Sequence, residues 1–358
     1  MEQKTKYNVI GLMSGTSMDG LDMAYCEFIT DQGNWQFKIV VAQTIPYSKE
    51  WFAKLTEAPL LEEVGLNDLQ LEYGQYIGRA VNDFIEENQL NTELICSHGH
   101  TIFHDPEQGI TFQLGSGKEI SETTKTSVIS NFRALDVSLG GQGAPLAPVG
   151  DKLLFPEFEY CMNLGGFANI SFDENGKRIS FDICPVNIAM NEISQQLGLE
   201  YDDNGENASK GKVDGKLLDE LDGLQYYNES SPKSLSREWY EGNFKPFIDG
   251  SLISSEDKLC TLCEHIANQV AKALEGSSEG DKLLITGGGA HNQYLIDQIS
   301  AKLNLKVHIP SQQIVDFKEA LIFGFLGILR VRNEINCLES VTGAERDSSG
   351  GEIHEFNG

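Results

Sequence analysis

Apolar residues in this chain first gather at Tyr7 to Ile10, again over 21–28, and a third time in the run WQFKIVVAQTIPY at 35–47. Short apolar runs bounded by turn residues predict three strands joined as a meander. From Leu69 the period changes: Tyr73, Ile77, Val81 and Phe84 recur at helical spacing, with Gly74 and Gly78 as a small-residue stripe beside them. That pattern predicts a helix packed closely on a sheet. ELICS (93–97) and TSVIS (126–130) then read as buried strands, ending in the polar loop His98 to Thr101 and in Asn131 to Arg133. Strands that alternate with helices and end in polar tips predict an α/β sheet with ligands at the strand ends.

The pattern restarts after the stretch DVSLGGQGAPLAPVGD (136–151), the richest in Gly and Pro. EYCMN (159–163) leads into a turn at Leu164 to Asn169, then a strand, a DENG turn (173–176) and the strand RISF (178–181). Strand, glycine turn, strand thus occurs in both halves. It predicts two related α/β domains facing a shared cleft: 1–150, rejoined by 316–358, and 151–315. Helix signals follow over 187–197 and 257–275; LLIT (283–286) reads as a strand before Gly287 to Gly289, and the almost wholly apolar 316–333 as a buried helix. The polar tail after Thr342 is expected to fray.

Composition narrows the function classes. With 54 acidic against 27 basic side chains, the net charge of −27 repels nucleic acid and anionic membranes, so neither is an expected partner. A phosphorylated ligand must then be held by local backbone N–H groups, a few Lys or Arg, and a divalent cation. The seven cysteines are scattered and odd in number, which disfavours disulfides. Cys260 and Cys263 stand among Leu259, Leu262, Ile266 and Val270 at helical spacing and read as buried thiols. No run approaches the ~18 apolar residues of a membrane span, and the expected compartment is a reduced cytoplasm.

Three glycine turns at strand ends carry the candidate chemistry: Gly11 to Gly20, Leu164 to Asn169, and Gly287 to Asn292. Glycine there lets backbone N–H groups face phosphate oxygens, while Ser14, Thr16 and Ser17 add hydroxyl donors. Asp19 and Asp22 offer hard oxygens to a hydrated Mg²⁺. Three such turns in a repeated α/β chain point to nucleotide binding. GSGK (115–118) is not a P-loop, because Glu119 follows Lys118, and GGGAHN (287–292) lacks the third glycine of the dinucleotide fingerprint. His98, His100 and His104 admit two readings, a metal site or a polar lining of a substrate cleft. Asp182 follows a strand and precedes a helix; it reads as a general base or as a helix cap.

These segments together resemble the anhydro-N-acetylmuramic acid kinases of bacterial cell-wall recycling. The resemblance rests on GLMSGTSMDGLD (11–22), SHGHTIFHDP (97–106), NFRALD (131–136) with GGQGAPLAP (140–148), NLGGFANIS (163–171), YDDNGENASKG (201–211), PKSLSRE (232–238), GGGAHN (287–292) and VTGA (341–344). It implies a two-domain actin/hexokinase-like (ribonuclease H-like) fold with ATP and Mg²⁺ in the inter-domain cleft, and a homodimer. The implied reaction opens the 1,6-anhydro ring with water and phosphorylates O6. Gly15, Thr16, Ser17, Met18, Asp19, Gly20, Leu21 and Asp22 would cradle ATP phosphates, joined by Gly165, Gly166, Asn169 and by Gly287, Gly288 and Gly289. Asp19 and Asp22 would serve the cation.

Asp182 matches the family's catalytic aspartate, and Glu319 resembles a second acidic residue that orients water and sugar. His98, Thr101, Arg133, Asp136, Gln142 and Asn187 are the sugar-contact candidates. The chain departs from the family at FDICPVN (181–187), where FDTGPGN is usual, and at His100, where Gln is usual. A kinase of the same fold for another anhydro- or amino-sugar, and a nucleotide-binding protein without catalysis, are the alternative readings.

Overall fold

A computed structural model of the chain describes residues 4–15 and 18–356. Its strands are β1 (Lys6–Ser14), β2 (Gly20–Asp31), β3 (Asn34–Pro46), β4 (Leu94–Asp105), β5 (Ile110–Leu114), β6 (Val128–Ser130), β7 (Tyr160–Leu164), β8 (Phe167–Glu174), β9 (Lys177–Pro185), β10 (Lys282–Thr286), β11 (Lys306–His308) and β12 (Glu352–His354). The chain divides into two compact units, Met1–Pro156 with Phe317–Gly358, and Glu157–Asp316.

One sheet runs in the order β12-β6-β4-β1-β2-β3, with β5 paired to β4; the other runs β11-β10-β7-β8-β9. In each, three consecutive strands form an antiparallel meander, and two later strands add in parallel beside its first strand. Parallel addition needs a long crossover, and the helices Glu63–Asn88 and Ser255–Ala273 lie in the connections that lead to β4 and β10. The repeated strand–turn–strand pattern is therefore the trace of one α/β topology used twice.

Local chemistry explains the elements. Asn175 and Gly176, at φ 51° and 79°, form the two-residue turn that pairs Glu174 with Lys177, as the DENG sequence predicts. The helical stripe Tyr73, Ile77, Val81 and Phe84 is buried against Ile10, Leu12, Leu21 and Met23 of the first sheet. Gly74 and Gly78 admit a second neighbour: added Cβ atoms would lie 2.8 Å from Ser116 O and 2.6 Å from Thr123 Cβ, so the small-residue stripe packs on the helix Gly117–Thr124. Gly11 shows the tightest approach, since a Cβ there would fall 1.8 Å from the Ala320 carbonyl oxygen in the helix Gln312–Val331. That helix is apolar and buried from Ala320 to Leu329, and Phe317, with φ −117° and ψ 16°, interrupts it at the unit boundary.

Two expectations are overturned. The segment His98 to Thr101 is not a loop, because β4 continues to Asp105 and pairs His100 with Leu114 of β5. The tail after Thr342 is held rather than frayed. Cys337 and Ser348 exchange backbone hydrogen bonds at 3.0 and 3.1 Å, the Asn336 side chain accepts from Gly350 N–H at 2.7 Å, and β12 pairs with β6. All seven cysteines are buried and none forms a disulfide, and among the described residues no helix is long and apolar enough to cross a membrane.

Candidate active site

In the first unit, the opening glycine turn joins two strands that pair Met13 with Asp22. Thr16 and Ser17 lie outside the described residues. Gly15 O accepts a hydrogen bond from Met18 N–H at 3.2 Å, Met18 has φ 54°, and Asp19 is exposed. Leu21 is buried in the core and Gly20 lies against the Ile45 carbonyl, so both anchor the turn. Asp22 is half-buried and accepts from the Thr44 hydroxyl at 2.5 Å. Ser14, expected as a phosphate donor, is turned inward: its hydroxyl is 2.6 Å from Tyr47 OH and 2.9 Å from His100 Nδ1.

His98 and Arg133 form a single polar unit. The Nε and Nη2 of Arg133 donate to His98 Nε2 at 3.0 and 2.8 Å, which requires the imidazole proton on Nδ1, where it donates to Gly99 O at 2.8 Å. Burial and the Arg133 charge hold His98 well below its ordinary pKa, so it is neutral. Burial lowers His100 to about 4. Part of Arg133 reaches solvent, yet the protein around it lowers its pKa to about 10, which leaves it cationic. Its Nη1 donates to Gly143 O at 2.6 Å.

Asp136 is buried with both oxygens engaged: one accepts from Gly143 N–H at 2.7 Å, the other from Thr342 Oγ1 at 2.7 Å and Cys337 Sγ at 3.0 Å. The residue thereby ties the 140–143 loop to the tail. Gln142 is exposed, with its N–H on Thr342 O at 2.8 Å, and Thr101 is half-buried on β4. Glu319 reaches solvent, but crowding raises its carboxyl above the ordinary range, with Lys318 and Arg133 opposing. The neighbouring Lys318 forms a buried ion pair with Asp151 at 3.1 Å.

The metal reading of the three histidines fails here. His98 and His100 are engaged as described, His104 Nδ1 lies 3.1 Å from Thr111 Oγ1, and no cluster of three His, Cys, Asp or Glu side chains suited to a metal exists among the described residues.

In the second unit, the other two glycine turns converge. Parallel β7 and β10 pair Asn163 with Thr286, so the turns at Gly165–Gly166 and Gly287–Gly289 leave the same sheet edge side by side. Asn187 joins them: its N–H donates to Gly165 O at 3.2 Å and its Nδ2 to Leu164 O at 3.1 Å. Gly287 has φ 84°, and a Cβ there would meet Asn163 Oδ1 at 2.6 Å. The helix Asn187–Gln196 starts at this point, adding an N-terminal dipole to strand ends where α/β sheets bind ligands.

Asp182 lies inside β9, opposite Asn169, and a bulge beside this pair shifts the register before Ala168 pairs with Cys184. It does not cap the following helix, whose N-cap position is Val186. Bulges re-aim side chains, and this one sits where the family motif is altered. The Asp182 carboxylate accepts from Leu235 N–H at 2.8 Å, which lowers its pKa, but burial dominates and raises it to about 6. Near neutral pH it is an ionised carboxylate whose basicity approaches that of the solution, the condition for a general base. Sequence reasoning assigned no role to Tyr226, Lys233 or Leu235, although Lys233 and Leu235 stand in the quoted PKSLSRE motif.

Comparison with known proteins identifies the family. A family model described as anhydro-N-acetylmuramic acid kinase matches residues 7–355. The anhydro-N-acetylmuramic acid kinase of Zymomonas mobilis is 35% identical over 96% of this chain and 99% of its own length. Those of Pseudomonas fluorescens and Clostridioides difficile are 34% and 32% identical, each covering 94% of this chain and 96% and 95% of their own lengths. Among solved structures, component A of the Acidaminococcus fermentans (R)-2-hydroxyglutaryl-CoA dehydratase is similar at a TM-score of 0.45 and 12% identity, over 88% of this chain and 95% of that one. With the family model spanning nearly every element described above, from β1 to the tail, the chain belongs to the anhydro-N-acetylmuramic acid kinase family.

Proposed function

We propose that this chain opens the 1,6-anhydro ring of anhydro-N-acetylmuramic acid with water and transfers the γ-phosphoryl of ATP to the freed O6, giving N-acetylmuramic acid 6-phosphate and ADP. The observation that carries the mechanism is Asp182, a carboxylate raised to about 6 and fixed by a backbone donor. Asp182 takes a proton from the water that attacks C1. The C1–O6 bond breaks as the C1–O bond to water forms, and O6 becomes the nucleophile toward the γ-phosphorus. Glu319, with its own raised carboxyl, orients water and sugar, and His98, Thr101, Arg133, Gln142 and Asn187 are the sugar contacts. Asp136 belongs with them as the residue that shapes the 140–143 loop.

ATP phosphates would meet the backbone of Gly15 to Asp22, of Gly165, Gly166 and Asn169, and of Gly287 to Gly289. Mg²⁺ takes oxygen ligands and usually one or two protein carboxylates beside substrate phosphates. The exposed Asp19 and the half-buried Asp22 fit that donor set and would hold it, directly or through water. Bound there, the cation would offset phosphate charge. The chain works in the cytoplasm as a homodimer on this reading, in the recycling of cell-wall sugars.

The test is ADP release in the presence of each sugar. Release dependent on anhydro-N-acetylmuramic acid and Mg²⁺, lost in Asp182→Asn, supports the proposal; a higher kcat/KM for a different anhydro- or amino-sugar replaces the substrate while keeping the chemistry.

A further inference from the structure

The general base is gripped from two directions by residues outside its own sheet. β9 is the edge strand of the second sheet, so the backbone of Asp182 would otherwise face outward without a ladder partner. Instead its N–H donates to Lys233 O at 3.1 Å, and Leu235 N–H returns a bond to its carboxylate at 2.8 Å. From a second segment, Tyr226 OH donates to the Asp182 carbonyl at 2.6 Å.

These two elements are themselves tied together. Lys233 Nζ donates to Tyr226 O at 3.1 Å and lies 4.5 Å from the centre of the Tyr226 ring. Tyr226 is buried, with the rings of Tyr227 and Trp239 at 5.6 and 5.2 Å. The strap ends where the Ser236 hydroxyl caps Trp239 N–H at 3.2 Å. Backbone N–H, carbonyl and carboxylate of one residue are thus all fixed, in a chain that has lost two glycines of the family motif immediately after it.

We propose that Tyr226 and the Lys233–Leu235 strap are positioning residues for Asp182, holding its carboxylate at one orientation toward the attacking water. The inference rests on the proposed role of Asp182 as base. The titratable groups that face Asp182 are the Tyr226 phenol and the Cys184 thiol, both pushed upward by burial and so neutral near pH 7, while the Lys233 ammonium is directed at Tyr226 O. Among the described residues, therefore, no charge facing the carboxylate substitutes for the Leu235 N–H.

The experiment is the pH profile of kcat/KM for sugar-dependent ADP release by the full chain. Tyr226→Phe, which keeps the ring and removes one donor, is expected to lower kcat about tenfold with the KM for ATP unchanged, the loss expected for one buried hydrogen bond. Leu235→Pro removes the donor to the carboxylate and moves the acid limb up by about one pH unit, while Leu235→Ala, which keeps the N–H, leaves the limb in place. In an Asp182→Asn background, Tyr226→Phe has no further effect on the residual rate, because the clamp acts only through the carboxylate.

If Leu235→Pro does not fold, the Tyr226→Phe cycle decides alone. An unchanged kcat in Tyr226→Phe, or an equal loss in both backgrounds, overturns the clamp while leaving the base intact. Full activity of Asp182→Asn itself would instead overturn the assignment of the base, so the two failures are distinguishable.

Discussion

Replacing Asp182 by asparagine tests the electrostatic state of this carboxylate through stability. Burial raises its pKa from 3.8 to about 6, so the folded protein binds the proton more tightly than the unfolded chain between those values. Below pH 3.8 both states are protonated and there is no penalty; the penalty grows through the window and is complete above pH 6. The shift of roughly two units corresponds to about 3 kcal/mol of destabilisation at pH 8. Asparagine removes that cost but accepts from Leu235 N–H as a neutral amide, a loss of about 1 kcal/mol.

The variant is therefore expected to be about 1–2 kcal/mol more stable than the parent at pH 8, and its advantage to be about 1.5 kcal/mol smaller at pH 5. Of the three tryptophans, Trp239 alone lies in the second unit, so urea unfolding followed by fluorescence in a Trp35→Phe, Trp51→Phe background reports on the relevant unit. An Asp182→Asn protein that is less stable at pH 8, or a difference that ignores pH, would show that burial does not raise this carboxyl. The same variant should be inactive, which makes this a residue where function is held at the expense of stability.

Two neighbouring glycines separate fold from ligand approach. Gly287→Ala places a methyl at φ 84°, ψ 164° and 2.6 Å from Asn163 Oδ1, and should cost about 2–4 kcal/mol in the unfolding of the second unit. Gly288→Ala meets its nearest neighbour at 3.4 Å, so stability should hold while the KM for ATP rises about tenfold if phosphate approaches that backbone. Lys318→Met removes the buried ion pair with Asp151 and should destabilise the first unit by about 3 kcal/mol, with the carboxyl of Glu319 raised further because Lys318 now holds it down. Denaturation curves and the acid limb of the rate profile, expected to move up, check that pair of effects.

Local pattern was enough to read the meanders, the glycine turns and the helical faces, because each depends on residues a few positions apart. The DENG turn and the Tyr73, Ile77, Val81, Phe84 stripe appear where the period predicted them. Misreadings occurred where a distant segment decided the outcome. His98 to Thr101 is polar enough for a loop, but β5, a hairpin arm later in the chain, draws it into the sheet. The tail has the composition of a frayed end, and Asn336 and Asp136 secure it through side chains far away in sequence.

Ser14 illustrates the same limit at the site. Its place in a hydroxyl-rich turn suggested a phosphate donor, while alternation along β1 directs it toward Tyr47 and His100. The clamp on Asp182 was out of reach for the converse reason, since Tyr226 and Leu235 act through a backbone carbonyl and a backbone N–H that no residue type reveals.

In the proposed reaction, water opens the ring at C1 while O6 receives the phosphoryl group. The direct measurement is mass spectrometry of the product formed from anhydro-N-acetylmuramic acid and ATP in ¹⁸O-labelled water. The expected product carries one label, on the C1 oxygen, with an unlabelled phosphate ester at O6. Label in the phosphate, or a phosphorylated sugar whose anhydro ring is still closed, would contradict it.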